Sequence, residues 1–313
     1  MPENDYGVKT LPQIACVDIG GTIIKYGVAE SSGRLLEQEK LDNPVAESGS
    51  GRMLSLIISR INELKARYNL KGIAVATAGM VNADSGVITF AAGNTFPGYT
   101  GTRVRDILTE KCGLPCTVEN DVNCAVMGEW WLGAGKGASP LVCITVGTGI
   151  GGAVMIDGKL LRGINGCAGE IGLMHIGSST LEALAATSTL VREAAEKSGL
   201  HKEDVDGEMV FAMAQAGNKL MQQLIQQQIN YLADGIANIC CLINPEVIVL
   251  GGGIMAQRQY LRPLIDEAVS QRVLMVQREK MRIEFTRLGD TAGMIGAVYN
   301  FIQRNKQQKG GTL

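Results

Sequence analysis

The sequence predicts an α/β protein made of two related halves, and three observations carry that prediction. A layout of apolar run and glycine turn occurs twice, as Ile14-Ala-Cys-Val-Asp18-Ile-Gly-Gly-Thr22 and as Leu141-Val-Cys-Ile-Thr145-Val-Gly-Thr-Gly-Ile-Gly-Gly152. Each copy leads into a second apolar run (23–29; 153–156), a turn (Ser32-Gly33; Asp157-Gly158) and a third run, the order of a β-meander. After each meander, strand-length apolar runs alternate with helical periodicity, as in a sheet flanked by helices. Two such turns would present two sets of backbone N–H groups, an arrangement suited to a polyphosphate.

The elements follow in order. Met53, Leu54, Ile57, Ile58, Ile61 and Leu64 recur at helical spacing within 51–68. Residues 72–77 read as a buried strand, 87–90 as a short one, 102–112 as a helix and 115–119 as a strand that ends at Asn120-Asp121. A helix over 123–132 and a glycine-rich stretch over 133–138 lead to the second meander. Beyond it, helices are expected over 180–198 and 217–242, the latter stopped by Asn244-Pro245. A strand over 246–250 ends in Gly251-Gly252-Gly253. A helix over 258–269, a strand over 282–287 and a final helix over about 291–303 complete the chain. The expected lobes are 1–122 and 123–293, with a helix at about 294–306 packing back on the first.

Composition narrows the function. Of 313 residues, 46% are hydrophobic and 19% charged, a globular balance rather than a disordered one. A net charge of −2 without any basic stripe argues against nucleic acid as partner. Apolar stretches are strand-sized and glycine-broken, so no membrane span is expected. The eight cysteines are scattered, with no C-x-x-C pair, and read as reduced thiols of a cytoplasmic protein.

Five segments carry candidate chemistry. In Asp18-Ile-Gly-Gly-Thr22 the glycines bring N–H groups to an anion, Thr22 adds a hydroxyl, and Asp18 would hold Mg²⁺ through water. The alternative is an ordinary hairpin turn. Gly147-Thr148-Gly149-Ile150-Gly151-Gly152 is a second candidate phosphate loop. Gly251-Gly252-Gly253 follows a strand and is either the place where the adenosine half of a nucleotide lies or only a turn. In Glu119-Asn120-Asp121-Val122-Asn123, Asp121 is either the base that takes a proton from a sugar hydroxyl, with Asn120 bonding its neighbour, or a helix cap. Glu170, framed by Gly169 and Gly172, is either an acceptor for sugar hydroxyls or a solvated loop acid.

Taken in order, from Asp18 to about Tyr299, these segments resemble the ROK family (repressors, open reading frames and sugar kinases) of the actin-like ATPase superfamily. The resemblance implies two actin-like, ribonuclease H-like lobes around a cleft that holds ATP–Mg²⁺ and a hexose, in a homodimer. It implies Asp18, Gly20, Gly21 and Thr22 as the first phosphate segment, Thr148 and Gly149 in the second, and Gly252 and Gly253 flanking adenosine. Asn94, Asn120, Asp121, Glu170 and Glu182 fall on sugar-contact positions, with Asp121 as general base. Many members carry a His after the G-E-I-G run and then a zinc-binding cysteine cluster. Here Leu173 takes the His position, His175 is the nearest histidine, and residues 172–181 are too few to contain the cluster. No zinc site is expected, as in the family's β-glucoside kinases and N-acetylmannosamine kinases of the zinc-less form.

The implied activity is transfer of the γ-phosphoryl of ATP to the 6-hydroxyl of glucose, N-acetylglucosamine, N-acetylmannosamine or a similar sugar. A β-glucoside kinase is the alternative acceptor reading. From other classes, the alternatives are a sugar-responsive regulator and a non-catalytic sugar-binding protein. A meander starting near residue 13 argues against a preceding helix-turn-helix module.

Overall fold

The computed structural model describes residues 11–308. The chain forms two compact units, one comprising the residues up to Cys124 together with those from Gly293 onward, the other Ala125–Ala292. The first unit opens with strands β1 (Gln13–Ile19), β2 (Ile23–Glu30) and β3 (Leu35–Asp42). Helix α1 (Val45–Arg67) and strand β4 (Leu70–Thr77) follow. Then come a hairpin of β5 (Met80–Asn82) and β6 (Val87–Phe90), helix α2 (Val104–Cys112), strand β7 (Cys116–Asn120) and helix α3 (Asp121–Leu132). The second unit holds the meander β8 (Leu141–Val146), β9 (Ile150–Ile156) and β10 (Lys159–Leu160), then a hairpin of β11 (His175–Ile176) and β12 (Ser179–Thr180). Helices α4 (Leu181–Ala185), α5 (Thr187–Ser198), α6 (Gly207–Gln215) and α7 (Lys219–Ile243) precede strand β13 (Val247–Gly251). Helices α8 (Arg258–Ser270) and α9 (Met275–Arg278), strand β14 (Arg282–Phe285) and helix α10 (Ala292–Gln308) end the described chain.

Both units carry one topology. The first sheet runs β3-β2-β1-β4-β7 and the second β10-β9-β8-β13-β14. In each, the meander strands pair antiparallel and the later two strands join parallel. The doubled meander of the sequence is therefore the nucleus of two mixed five-stranded sheets. Each has its own apolar core, centred on Ile19, Ile57, Ile73 and Val118 in one unit and on Ile144, Ile236, Ile248 and Leu250 in the other.

The register sets up the functional ends of the strands. Ile19 pairs with Thr77, and Thr77 with Asn120, so Asp18, Thr77 and Asn120 sit at the carboxyl ends of three adjacent parallel strands. In the other unit Thr145 pairs with Gly251, which brings the loop after β8 beside the triple glycine. Ligands of α/β sheets bind at such strand ends.

Three departures from the sequence reading have local causes. The helix expected over 180–198 is two helices, because Ala186 adopts an extended conformation (ψ 154°) between α4 and α5. The first helix starts earlier than residue 51, at Val45, with Gly49 at φ 73° interrupting it. Helix α6 was not anticipated, although Asp206 caps it by accepting from the Met209 N–H at 2.8 Å.

One buried carboxylate pins the second unit. Glu129, on α3 and 1% exposed, accepts from the backbone N–H of Ala134 (2.7 Å), Arg287 (3.2 Å) and Leu288 (2.9 Å) and from the Thr286 hydroxyl. Its hydration is thus replaced by fixed donors, which makes a buried charge tolerable. Glu129→Ala would leave those N–H groups without their acceptor. Denaturant unfolding should show a loss of about 3 kcal/mol or more, and Glu129→Gln, which keeps one acceptor oxygen, a smaller loss.

Candidate functional site

The first glycine turn is shaped by backbone contacts. Gly20 N–H donates to the Ile23 carbonyl at 3.0 Å, and a Cβ on Gly20 would lie 2.9 Å from that same oxygen. Asn43 holds the turn from the side: its Nδ2 donates to the Gly20 carbonyl and its N–H to the Thr22 carbonyl, each at 2.7 Å. Thr22 is exposed at the tip. Asp18 is half-buried and pairs with Lys25, its cross-strand partner, at 3.2 Å. A Cβ on Gly293 would sit 2.9 Å from Asp18 Oδ2, so the first turn of α10 rests against this carboxylate. A helix N-terminus is a favourable neighbour for negative charge. Lys25, Asn43 and Gly293 were not singled out in the sequence, and Asn43-Pro44 was the available turn signal.

Asn120, and not Asp121, caps α3. Its Oδ1 accepts from Val122 N–H (2.9 Å) and Asn123 N–H (3.0 Å). Its Nδ2 donates to the Gly79 carbonyl (3.0 Å) and to Asp121 Oδ1 (2.9 Å). Glu119, 1% exposed, backs this arrangement by accepting from Asn120 N–H and Asn123 Nδ2, both at 3.0 Å. Asp121 Oδ1 also accepts from Val122 N–H at 2.9 Å. Burial, then the negative charge of Asp18, push the Asp121 carboxyl up to about 6, against the pull of those hydrogen bonds. Two carboxylates that feel each other from strand ends on either side of β4 mark a site poised for a cation or a proton.

Asn94 is exposed on the loop after β6, whose base is firmly held. Phe96 and Tyr99 are buried and stacked, with ring centroids 5.5 Å apart. The Tyr99 hydroxyl and Thr77 Oγ1 lie 3.0 Å apart, one donating to the other. The loop also touches the glycine turn, since a Cβ on Gly21 would meet the Thr95 methyl at 3.1 Å.

In the second unit, Gly147 N–H donates to the Gly149 carbonyl at 2.9 Å and closes the loop around the exposed Thr148. The start of α5 secures it: Thr187 N–H donates to the Gly147 carbonyl (2.8 Å) and the Ser188 hydroxyl to the Thr148 carbonyl (2.6 Å). Gly252 (φ 99°) backs onto β8, where a Cβ would come within 2.1 Å of the Val146 carbonyl oxygen; no side chain fits there. Gly147, Thr148 and Gly253 line one cavity of about 740 Å³ together with Arg192, Glu208 and Phe211. The last two come from the unanticipated α6. A cavity of this size, part apolar and bordered by a glycine loop, suits a nucleotide.

Glu182 Oε2 accepts from Ile150 N–H at 2.9 Å, directly beyond Gly149. Glu170 is exposed on its glycine-framed loop, and lost hydration, then the charge of Glu182, raise its carboxyl above the ordinary range.

A family model described as the ROK family matches residues 14–304. The chain belongs to the ROK family. This ROK protein is 32% identical over 305 residues to a β-glucoside kinase of Listeria monocytogenes, covering 95% of this chain and 100% of that one. Among solved structures it resembles a ROK hexokinase from Thermus thermophilus (30% identity, TM-score 0.79, 93% and 99% of the two chains). It also resembles a ROK family glucokinase from Streptomyces griseus solved with glucose and AMPPNP (25% identity, TM-score 0.81, 92% and 98%).

At the position where many members of the family carry a His, this ROK protein has an exposed Leu173 in a single 3-10 turn. His175 lies exposed on the β11–β12 hairpin opposite Thr180. Among the described residues no group of three or more His, Cys, Asp and Glu is placed to hold a metal, and no helix is long and apolar enough to cross a membrane.

The raised value at Asp121 has a cost with a definite sign. A carboxyl that moves from 3.8 to about 6 on folding contributes stability fully present below 3.8 and lost as the pH rises through about 6. At pH 7.5 the ionised group therefore weighs against folding. Asp121→Asn keeps an Oδ1 acceptor for Asn120 and Val122 and removes the charge. Chemical denaturation at pH 7.5 should show the variant more stable by about 1–2 kcal/mol, with the difference vanishing towards pH 4.

Proposed function

We propose that this ROK protein is an ATP-dependent sugar kinase that transfers the γ-phosphoryl group of ATP to the 6-hydroxyl of a hexose or N-acetylhexosamine. The observation that carries the reading is Asp121: a carboxylate oriented by Asn120, raised to about 6, at the end of β7 and within the field of Asp18 across β4. With Oδ1 engaged by Asn120 and Val122, Oδ2 is left to receive the hydroxyl proton while the sugar oxygen attacks phosphorus and ADP departs. A base near 6 is ionised at neutral pH yet more basic than an ordinary Asp.

The remaining residues divide by chemistry. Gly20, Gly21 and Thr22 in one unit and Thr148 and Gly149 in the other supply turns that can donate N–H groups to phosphates. Gly253 borders the cavity that would take the adenosine, and Gly252 precedes it against β8. Asn94, Asn120, Glu170 and Glu182 are the acceptor-side groups, with Asn120 acting chiefly through Asp121. Asp18 suits a water-mediated hold on Mg²⁺, because its charge already opposes that of Asp121 and a cation would relieve both. Mg²⁺, when bound with ATP, would neutralise charge on the phosphates.

A β-glucoside is the second acceptor reading. It is favoured by the full-length likeness to a β-glucoside kinase and by the exposed apolar Leu173 three residues beyond Glu170.

The test is ADP release measured with glucose, N-acetylglucosamine, N-acetylmannosamine, fructose, allose and a β-glucoside. At least one sugar should give turnover whose kcat/KM falls about tenfold per pH unit below about 6. Asp121→Asn should cost about 10²- to 10⁴-fold in kcat. Sugar binding without turnover, or an active Asp121→Asn, would refute the reading.

A further inference from the structure

In each unit, an element expected to touch sugar is in direct contact with a glycine of that unit's own phosphate turn. In the second unit the contact is Glu182. Thr180 caps α4 by accepting from Ala183 N–H at 3.2 Å, which fixes the first helical turn and with it Glu182. The Glu182 carboxylate then reaches Ile150 N–H at 2.9 Å, and a Cβ on Gly149 would stand only 2.3 Å from Oε2. The loop bearing Glu170 closes on the same spot, since a Cβ on Gly172 would lie 2.2 Å from the Ile150 carbonyl oxygen and 3.4 Å from Glu182 Cβ. In the first unit, Thr95, next to Asn94, presses its methyl on Gly21, and the Tyr99–Thr77 hydrogen bond holds the loop in place.

We propose that Glu182 is a positioning residue that ties sugar occupancy to the second phosphate turn, so that bound sugar tightens nucleotide binding, with Thr95 on Gly21 acting in parallel. This rests on the kinase reading above. One carboxylate oxygen holds Ile150 N–H, and the other is available to a sugar hydroxyl. A sugar bound there restricts the Glu182 side chain and, through Ile150, the turn from Gly147 to Gly149. The ordering that nucleotide binding requires is then partly done beforehand. Linkage demands the reciprocal effect, with nucleotide tightening sugar by the same factor.

The experiment is calorimetric titration of AMPPNP with Mg²⁺ into the protein, with and without the panel sugar that is turned over fastest. The ratio of the two dissociation constants is the readout. A purely structural defect weakens binding in both titrations and leaves the ratio unchanged. Wild type should bind at least about fivefold tighter with sugar present. Glu182→Asp withdraws the carboxylate by one methylene and should bring the ratio close to one. Glu182→Gln, whose amide oxygen still accepts from Ile150 N–H, should retain most of it while sugar binding weakens. Thr95→Ser removes only the methyl on Gly21 and should lower the ratio in part, which provides a test should Glu182→Asp fail to fold. A wild-type ratio of one alongside normal turnover overturns the coupling and leaves the kinase reading standing. So does an unchanged ratio in both Glu182→Asp and Thr95→Ser. Absence of turnover with every sugar of the panel removes the kinase reading and this inference with it.

Discussion

Where the loop bearing Glu170 crosses β9, main chain lies on main chain. A Cβ on Gly152 would fall 2.6 Å from the Gly169 carbonyl oxygen, and one on Gly169 would fall 2.9 Å from the Gly152 carbonyl oxygen. Gly252 against Val146 repeats the arrangement at the next strand end. These approaches are closer than any side chain permits, and they bring an acid, a glycine turn and a cavity of about 740 Å³ into one unit. Remove the glycines and the sheet can still form, but its loops must lift away from the strand ends. Gly152, Gly169 and Gly252 are placed for that purpose.

The carboxylates divide into two kinds by the donors they meet. Glu129 is almost fully buried and is met by three backbone N–H groups and a hydroxyl spread over both its oxygens, so it serves structure. Asp121 receives two hydrogen bonds on one oxygen and faces the charge of Asp18, and its proton affinity rises. The same residue chemistry thus yields a pin in one place and a carboxyl of raised proton affinity in the other. Stability is given up at Asp121 and recovered in the cores and pins around it.

Much of the fold was legible in the chain. Repetition of apolar run, glycine turn and apolar run was enough to foresee two sheets, because strand periodicity and turn chemistry are local properties. The chain also marked Asp18, Gly147–Gly149 and Gly251–Gly253 as strand-end groups. One misreading and one open alternative had a common source in competition between nearly equal local options. The helix over 180–198 breaks at Ala186, a good helix former, because Thr187 N–H is drawn to the Gly147 carbonyl far away in sequence. Asp121 was weighed as a cap, yet Asn120 takes that role because its side chain can accept from α3 and donate to Gly79 at once.

By itself, the sequence determined the doubled α/β plan, the strand-end glycines and the identity of the titratable groups, since each depends on residue type and short-range spacing. Only the tertiary structure decided what those groups do for one another. Glu182 holding Ile150, Thr95 resting on Gly21, α6 walling the cavity and Asp18 raising Asp121 all join residues distant along the chain. Such contacts follow from strand register and from the absence of Cβ atoms at the crossing points, and no local periodicity encodes them.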